Sequence, residues 1–341
     1  MNKQEKKMEN TSVSSYPNAM RGKTILYVHG FGSSGQTGTV TRIRALLPNA
    51  TVTAPDLPIH PSEALELLAR TCAAVRPAII IGTSMGGMYA ERLHGYDRIL
   101  VNPAFEMGED IRRSNMTGKV TFSNPRRDGV QEFMMTKKLQ EEYSDACNGC
   151  FADTGEEEQA RVWGLFGIED TVVHTYDLFA SHYRHAVRFH GEHRLNDITL
   201  HHAVLPVIRW IDDRQEQRQP PIVYVSVEGA MRRDGKALSG VAKACHELAR
   251  AYDVYFVCDA PTRDASYGAT MSAWLFETVG VMSYDRLTAT NRKDLLYGDY
   301  LIDGGVSGRS AAFTGTRIDI GSPTYKTWED VMQFFRRLGG Q

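Results

Sequence analysis

The 341-residue chain has little of what marks an extracellular scaffold, a membrane protein or a nucleic-acid-binding protein. Its five cysteines are odd in number and irregularly spaced, which does not predict a disulfide framework. Its apolar runs are too short to cross a bilayer, and its net charge of -2 gives no reason to expect nucleic acid or an acidic membrane surface. We therefore expect a cytoplasmic protein without nucleic-acid or membrane partners.

The chain also lacks a complete metal or redox motif. Cys147 and Cys150 form one C-x-x-C pair, but no second pair and no suitably spaced histidine pair completes a zinc site. No thioredoxin-like pattern surrounds the pair, so we interpret it as structural or incidental. The sequence therefore predicts no metal and no cofactor.

The most informative segment is the pentapeptide Gly82-Thr83-Ser84-Met85-Gly86. It follows the short apolar run 78–81, which is typical of a buried strand, and precedes the helical pattern of 87–93. Strand, G-x-S-x-G and helix together are the context of a nucleophile elbow, which presents the serine hydroxyl at a helix N-terminus. The flanking glycines are needed because side chains there would collide with the strand and the helix. Ser84 is thus the candidate nucleophile.

Strand and helix patterns alternate from residue 23 to about residue 211, which predicts an α/β fold with a parallel sheet covered on both faces. The pattern loosens in the charged segment 104–160. We interpret this segment as a helical cap inserted over a sheet edge, and a solvated insertion with no role in substrate choice is the alternative. The predicted strands are 24–28, 50–54, 78–81, 97–101, 161–167 and 185–190.

The remaining boundaries follow from composition. Residues 1–22 are polar and predict a disordered tail. The polar run 212–221 ends in a diproline, which indicates a linker. A new strand begins at residue 222, so we expect residues 222–341 to form a second, smaller α/β domain.

A serine nucleophile needs a base, and the base needs an acid that orients it. In α/β-hydrolases these residues occur in the order serine, acid, histidine, each just beyond the end of a strand. Asp170 follows the strand predicted to end near residue 167, and His193 follows the next strand. The sequence therefore predicts the triad Ser84, Asp170 and His193.

Two alternatives to these assignments stay open. Glu169 adjoins Asp170 and could be the triad acid instead. His201 and His202 are the nearest other histidines, but they fall in a stretch with a helical pattern.

The oxyanion hole should use the backbone N–H groups of Met85, which follows the nucleophile, and of Phe31 in the loop after the first strand. That loop is rich in glycine, and the alternative interpretation is a phosphate cradle. The glycines at 30, 32 and 35 do not give the dinucleotide-binding G-x-G-x-x-G pattern, and no acidic ribose partner cleanly ends the second strand. We therefore favour an oxyanion hole, while the residues that bind the rest of the substrate stay unknown.

An ordered set of motifs in this first domain resembles the small YqiA-type esterases of the α/β-hydrolase superfamily. The resemblance covers about residues 23–211. It implies hydrolysis of carboxylic or thio esters, and it supports Ser84, Asp170 and His193 by motif. The motifs are His-Gly-Phe-Gly-Ser-Ser at 29–34, Pro-Asp-Leu-Pro at 55–58, Gly-Thr-Ser-Met-Gly-Gly at 82–87, Val-Asn-Pro-Ala at 101–104 and Gly-Glu-His at 191–193.

The second domain resembles the cytosolic 5'(3')-deoxyribonucleotidases of the haloacid-dehalogenase-like superfamily, from about residue 222 to 338. The resemblance implies a phosphatase fold. The segments that carry it are Thr290-Asn291-Arg292-Lys293-Asp294-Leu295-Leu296, Gly298-Asp299-Tyr300-Leu301-Ile302-Asp303, Ala260-Pro261-Thr262, Ile320-Gly321-Ser322 and Trp328-Glu329-Asp330-Val331.

Activity in that family requires a D-x-D-G loop, whose first aspartate attacks phosphorus and binds Mg²⁺. Here the corresponding stretch is Ser226-Val227-Glu228-Gly229, and a serine offers no carboxylate for either task. The late acidic pair is reduced to Asp303-Gly304, and Asp259 puts negative charge where the phosphate should rest. Lys293 is retained. The sequence thus predicts a nucleotidase-like domain without catalysis.

We expect the whole chain to be a serine esterase or thioesterase acting on a small-molecule ester or thioester through an acyl-enzyme. One alternative, suggested by the degenerate second domain, is a non-catalytic binding or regulatory protein. Another is a nucleotide phosphatase acting through the C-terminal domain.

Overall fold

The computed structural model describes residues 15–261, 263–305 and 308–338 of the chain. Residue contacts divide the chain into two compact units, Met1–Asp212 and Asp213–Gln341, hereafter unit 1 and unit 2. Within the described ranges, no helix combines the length and the apolar composition needed to cross a membrane. All five cysteines lie in these ranges as free thiols.

Unit 1 is built on a parallel sheet of six strands in the order β2-β1-β3-β4-β7-β8. An antiparallel hairpin, β5-β6, stands apart from it. The strands are β1 (Thr24–Val28), β2 (Thr51–Thr53), β3 (Ile79–Thr83), β4 (Arg98–Val101), β5 (Gly118–Thr121), β6 (Glu132–Met135), β7 (Val162–Gly167) and β8 (His185–Phe189).

Helices follow most of these strands. A π-helical stretch, Leu200–Val204, continues directly into the last of them. They are α1 (Gly38–Leu46), α2 (Pro61–Val75), α3 (Met85–Glu91), α4 (Met107–Arg113), α5 (Lys137–Asn148), α6 (Glu156–Gln159), α7 (Tyr176–Ala180), α8 (Asp197–Thr199) and α9 (Leu205–Gln215).

The central strands are buried on both faces, which explains their continuous apolar runs. Ile79, Ile80 and Ile81 in β3 are all fully buried, as expected for a parallel sheet with helices on both sides. Local signals set the helix ends: Pro61 begins α2 at a position where its missing N–H costs nothing. The predicted α/β fold is therefore confirmed, with strand bounds within a few residues of the expected ones.

The insertion between β4 and β7 differs from the helical cap that the charge pattern predicted. It contains α4, α5 and α6, but it also contains the β5-β6 hairpin, whose strands are four residues each. Strands this short give too few alternating positions to be read from the sequence. The apolar side of the hairpin is buried, with Phe133 and Met135 in the core, whereas Met134 is exposed on the other side.

Two predicted boundaries are wrong. The tail was expected to extend to residue 22, but Met20 is fully buried and its N–H donates to the Asp212 carboxylate at 3.1 Å. The linker was expected to begin at residue 212, but α9 continues to residue 215 and Asp212 forms a 2.6 Å ion pair with Lys23. The contacts of Asp212 with Met20 and Lys23 order both segments, and the local composition does not reveal them. Residues 1–14 of the predicted tail lie outside the described residues.

Unit 2 contains a five-stranded parallel sheet in the order β13-β12-β9-β14-β15 and a small antiparallel hairpin, β10-β11. Its own core packs around both faces. The strands are β9 (Ile222–Ser226), β10 (Arg232–Arg233), β11 (Lys236–Ala237), β12 (Asp253–Cys258), β13 (Leu287–Ala289), β14 (Tyr300–Asp303) and β15 (Thr316–Asp319). The helices are α10 (Val241–Leu248), α11 (Tyr267–Val279) and α12 (Trp328–Leu338).

Candidate active site

Ser84 occupies the sharp turn between β3 and α3. Its backbone has φ 54° and ψ −123°, a conformation that a residue with a side chain rarely adopts. The flanking glycines make this turn possible: a Cβ on Gly82 would lie 2.3 Å from the Gly86 carbonyl oxygen, and one on Gly86 would lie 2.0 Å from the Val28 carbonyl oxygen. The elbow therefore has the geometry that the pentapeptide predicts.

The structure brings the three predicted triad residues together in one hydrogen-bonded chain. His193 Nε2 lies 3.1 Å from Ser84 Oγ, and His193 Nδ1 lies 2.8 Å from Asp170 Oδ2. The Asp170 side chain is almost fully buried, and its other carboxylate oxygen accepts the N–H groups of Val172 and Val173 at 2.7 and 3.1 Å. These bonds fix the carboxylate, so it can orient the imidazole and stabilise its charged form.

The rival acid, Glu169, points elsewhere. Its carboxylate lies 3.1 Å from His190 Nδ1 and accepts the Gly191 N–H at 2.5 Å. The hydrogen bond with His190 lowers the pKa of Glu169, whose side chain is half exposed. His201 and His202 lie in the π-helical stretch, where burial lowers the pKa of His202. Of the candidate acids, Asp170 is therefore the one that contacts His193.

The two predicted oxyanion amides lie beside the nucleophile. Met85 begins α3, and Phe31 follows Gly30, where an added Cβ would lie 3.3 Å from Ser84 Cβ. Among the hydrogen bonds found in residues 15–261, neither the Phe31 N–H nor the Met85 N–H has a partner. Two amides without a partner beside the serine hydroxyl are what a developing oxyanion requires.

His29 fixes the loop that carries Phe31. The ring is almost fully buried; its Nδ1 donates to the Gly30 carbonyl at 2.9 Å, and its Nε2 accepts the Leu57 N–H at 3.1 Å. Because Nε2 must be an acceptor, the ring is neutral. Burial lowers the pKa of His29, which agrees with this role. His29 therefore joins the loop after β1 to the loop after β2.

Asp56 extends this connection to the insertion. One carboxylate oxygen accepts the Gly35 N–H and the other accepts the Arg127 N–H, both at 2.7 Å. Arg126 is buried and donates to the Leu57 carbonyl at 2.9 Å. The Pro125 carbonyl accepts the Ser34 hydroxyl at 2.7 Å, so the segment around residue 126 binds both the loop after β1 and the loop after β2.

Asn102 is a positioning residue that the sequence reasoning did not single out. It follows β4 with φ 46°, and its amide nitrogen donates to the carbonyls of Glu192 and His193 at 3.1 and 3.2 Å. Its amide oxygen accepts the Gly167 N–H at 2.7 Å. One side chain therefore holds both the histidine loop and the strand end before Asp170. An asparagine directly after a buried strand was the available signal.

In unit 2, several residues of the segments that resemble the nucleotidases lie near the carboxyl ends of β9 and β14. Ser226, Lys293 and Asp303 are buried, and Lys293 Nζ lies 3.4 Å from Asp303 Oδ1 and 3.7 Å from Asp259 Oδ1. The Glu228 carboxylate accepts the Asp259 N–H at 3.2 Å and the Tyr267 hydroxyl. Thr262, part of the resemblance, lies outside the described residues.

The sheet order and the elbow of unit 1 are those of the α/β-hydrolase fold. Residues 24–207 match the model of the uncharacterised protein family UPF0227, so the chain belongs to that family. The match spans nearly the same residues as the resemblance to the YqiA-type esterases.

A similar curated protein matches only part of this chain, at low sequence identity. A putative 5'(3')-deoxyribonucleotidase of Vibrio phage KVP40 is 26% identical over 99 residues, which are 29% of this chain and 58% of the phage protein. The chain thus spans 58% of the length of the curated relative that it matches.

Solved structures with a similar fold share little sequence with this chain. Est1E from Butyrivibrio proteoclasticus is 14% identical, with a TM-score of 0.38 over 60% of this chain and 90% of its own. Tomato methylketone synthase I, complexed with 2-tridecanone, is 13% identical, with a TM-score of 0.37 over 58% and 99%. A hydrolase from Pseudomonas aeruginosa is 15% identical, with a TM-score of 0.37 over 55% and 87%.

Proposed function

We propose that unit 1 is a serine hydrolase that cleaves carboxylic or thio esters through an acyl-enzyme. The observation that carries the proposal is the hydrogen-bonded chain from Ser84 through His193 to Asp170, set at an elbow turn. Serine in this arrangement is activated by the neighbouring base, and the base is oriented by the buried acid.

The reaction follows from these contacts. Ser84 Oγ attacks the acyl carbon and gives its proton to His193 Nε2, while the N–H groups of Phe31 and Met85 bind the oxyanion. Collapse of this intermediate breaks the bond to the alkoxide or thiolate, which takes the proton from His193. A water molecule then attacks the acyl-enzyme, gives a proton to His193, and releases the acid and Ser84 by the same steps in reverse order.

Labelling with a fluorophosphonate probe tests the nucleophile directly. We expect one covalent adduct, mapped by peptide mass spectrometry to Ser84, because an activated serine reacts with phosphorus as it does with an acyl carbon. Heat-unfolded protein is the control and should not react. Folded protein that forms no adduct on Ser84 would favour the alternative of a non-catalytic binding protein.

For unit 2 we propose a retained phosphatase-like fold without phosphoryl transfer. A buried serine stands at the end of β9, and the nearby carboxylates of Asp259 and Asp303 are opposed by the single ammonium of Lys293. A Cβ at Gly304 would lie 2.2 Å from the Gly229 carbonyl carbon, so the position cannot carry a second acid in this backbone arrangement. Within the described residues, the position at the end of β9 is a serine without a carboxylate, and no group of side chains is arranged to hold Mg²⁺.

Phosphate release from deoxyribonucleoside monophosphates in the presence of Mg²⁺ tests this second proposal. We expect the full-length protein to give the same rate as buffer, because no group can form the phosphoryl-enzyme. The Ser84→Ala protein is the matched control, since it removes any contribution of unit 1. Mg²⁺-dependent release that disappears in Glu228→Ala would contradict the proposal and support a nucleotidase.

A further inference from the structure

A narrow apolar recess adjoins the two predicted oxyanion amides. Phe31 and Met85 form part of its wall, together with Leu57 from the loop after β2. Phe133 and Tyr143, from β6 and α5 of the insertion, also line it. The space inside it that the centre of a water-sized sphere can occupy is ≈ 10 Å³, about enough for one water molecule.

The aromatic rings that close the recess hold one another in place. The ring centroids of Phe31 and Phe133 lie 5.7 Å apart, and those of Phe31 and Tyr143 lie 5.8 Å apart, both edge to face. The Tyr143 hydroxyl donates to the Ile59 carbonyl at 3.0 Å, which fixes that ring. The Phe133 ring also packs on that of Phe122, with the ring centroids 5.2 Å apart. A longer chain would therefore have to displace one of these rings, and the Phe133 side chain has no hydrogen bond that fixes it.

We propose that this recess is the acyl pocket and that Phe133 limits it to short, acetyl-sized acyl groups. The inference rests on the proposed function of Ser84. An acyl group whose carbonyl oxygen is bound by the amides of Phe31 and Met85 would lie next to this recess, because the same two residues line it. Most of the lining side chains are aliphatic or aromatic, so the recess favours a saturated chain and disfavours a charged one.

The experiment measures kcat/KM for the p-nitrophenyl esters of acetate, butyrate, hexanoate and octanoate. For the unchanged protein we expect a loss of about tenfold or more at each step, because every added methylene meets a filled pocket. In Phe133→Ala the hexanoate-to-acetate ratio should rise by at least about tenfold, since each methylene that gains an apolar site contributes about fourfold. Phe133→Leu should give a smaller rise in the same direction.

Phe151→Leu is the matched control for loss of an aromatic ring in the same insertion. Phe151 packs on Phe105 and His182, with ring centroids 4.6 and 4.3 Å away, and does not line the recess. We expect its chain-length profile to follow that of the unchanged protein.

Octanoate preferred over acetate by the unchanged protein would overturn the inference, as would Phe133 variants that lower all four rates equally. If neither variant folds, as judged by circular dichroism, the profile of the unchanged protein decides alone. Failure of the proposed function looks different: no ester is turned over and Ser84 is not labelled.

Discussion

Replacement of Ser84 or His193 by alanine should lower kcat for a short ester by a factor of about 10⁶, and replacement of Asp170 by about 10⁴. The smaller effect at Asp170 reflects its role, since it orients the imidazole without taking a proton itself. Because the three residues act as one unit, Ser84→Ala combined with His193→Ala should cost no more than either change alone. Stopped-flow or steady-state release of p-nitrophenol measures each value.

Glu169→Gln is the control for this series. Glu169 adjoins Asp170 in the sequence, but its carboxylate contacts His190 and Gly191. A glutamine can still accept the Gly191 N–H, so activity should stay close to that of the unchanged protein. A large loss of kcat in Glu169→Gln together with a small loss in Asp170→Asn would mean that Glu169, and not Asp170, is the triad acid.

The sequence predicts much of this site because its residues follow strand ends that are themselves easy to recognise. Ser84 and Asp170 follow the buried apolar strands β3 and β7, and His193 follows the edge strand β8. Parallel strands bring their carboxyl ends to one edge of the sheet. Chain order alone could not separate Glu169 from Asp170. Their side chains point in different directions from one turn, and only the hydrogen bond to His193 distinguishes them.

What the sequence could not predict depends on contacts between distant segments. Asn102 holds loops that follow two other strands, and its place after a buried strand does not reveal which distant backbone groups it binds. The hairpin in the insertion has strands too short to show alternation. Met20 and Lys23 are ordered by contacts with the carboxylate of Asp212, which is the last residue of unit 1. The amino-acid composition of a segment shows its local structural preference but not which distant residues it contacts.

A buried ionic network at the other end of β4 ties three elements of unit 1 together, so removal of one of its partners should be strongly destabilising. Arg98 is completely buried and contacts the Glu158 carboxylate and the Glu91 carbonyl. The Glu91 carboxylate accepts the Tyr183 hydroxyl at 2.8 Å and the Phe151 N–H at 3.1 Å. The network thus joins the first residue of β4, the last residue of α3 and the end of the insertion.

Arg98→Ala should lower the free energy of unfolding of unit 1 by about 3–5 kcal/mol, because Glu158 would be left buried without its partner. Arg98→Met combined with Glu158→Leu should recover most of that loss, since the charges are removed together and the volume is kept. Arg70→Ala is the control: its ion pair with Glu66 is exposed and should contribute less than about 1 kcal/mol. Urea unfolding followed by circular dichroism measures all three. An Arg98→Ala midpoint equal to that of Arg70→Ala would mean that water reaches Glu158.

Because Arg98 lies at the opposite end of β4 from Asn102, the folded Arg98→Ala protein should keep its esterase kcat. This separates the effect on stability from any effect on the site.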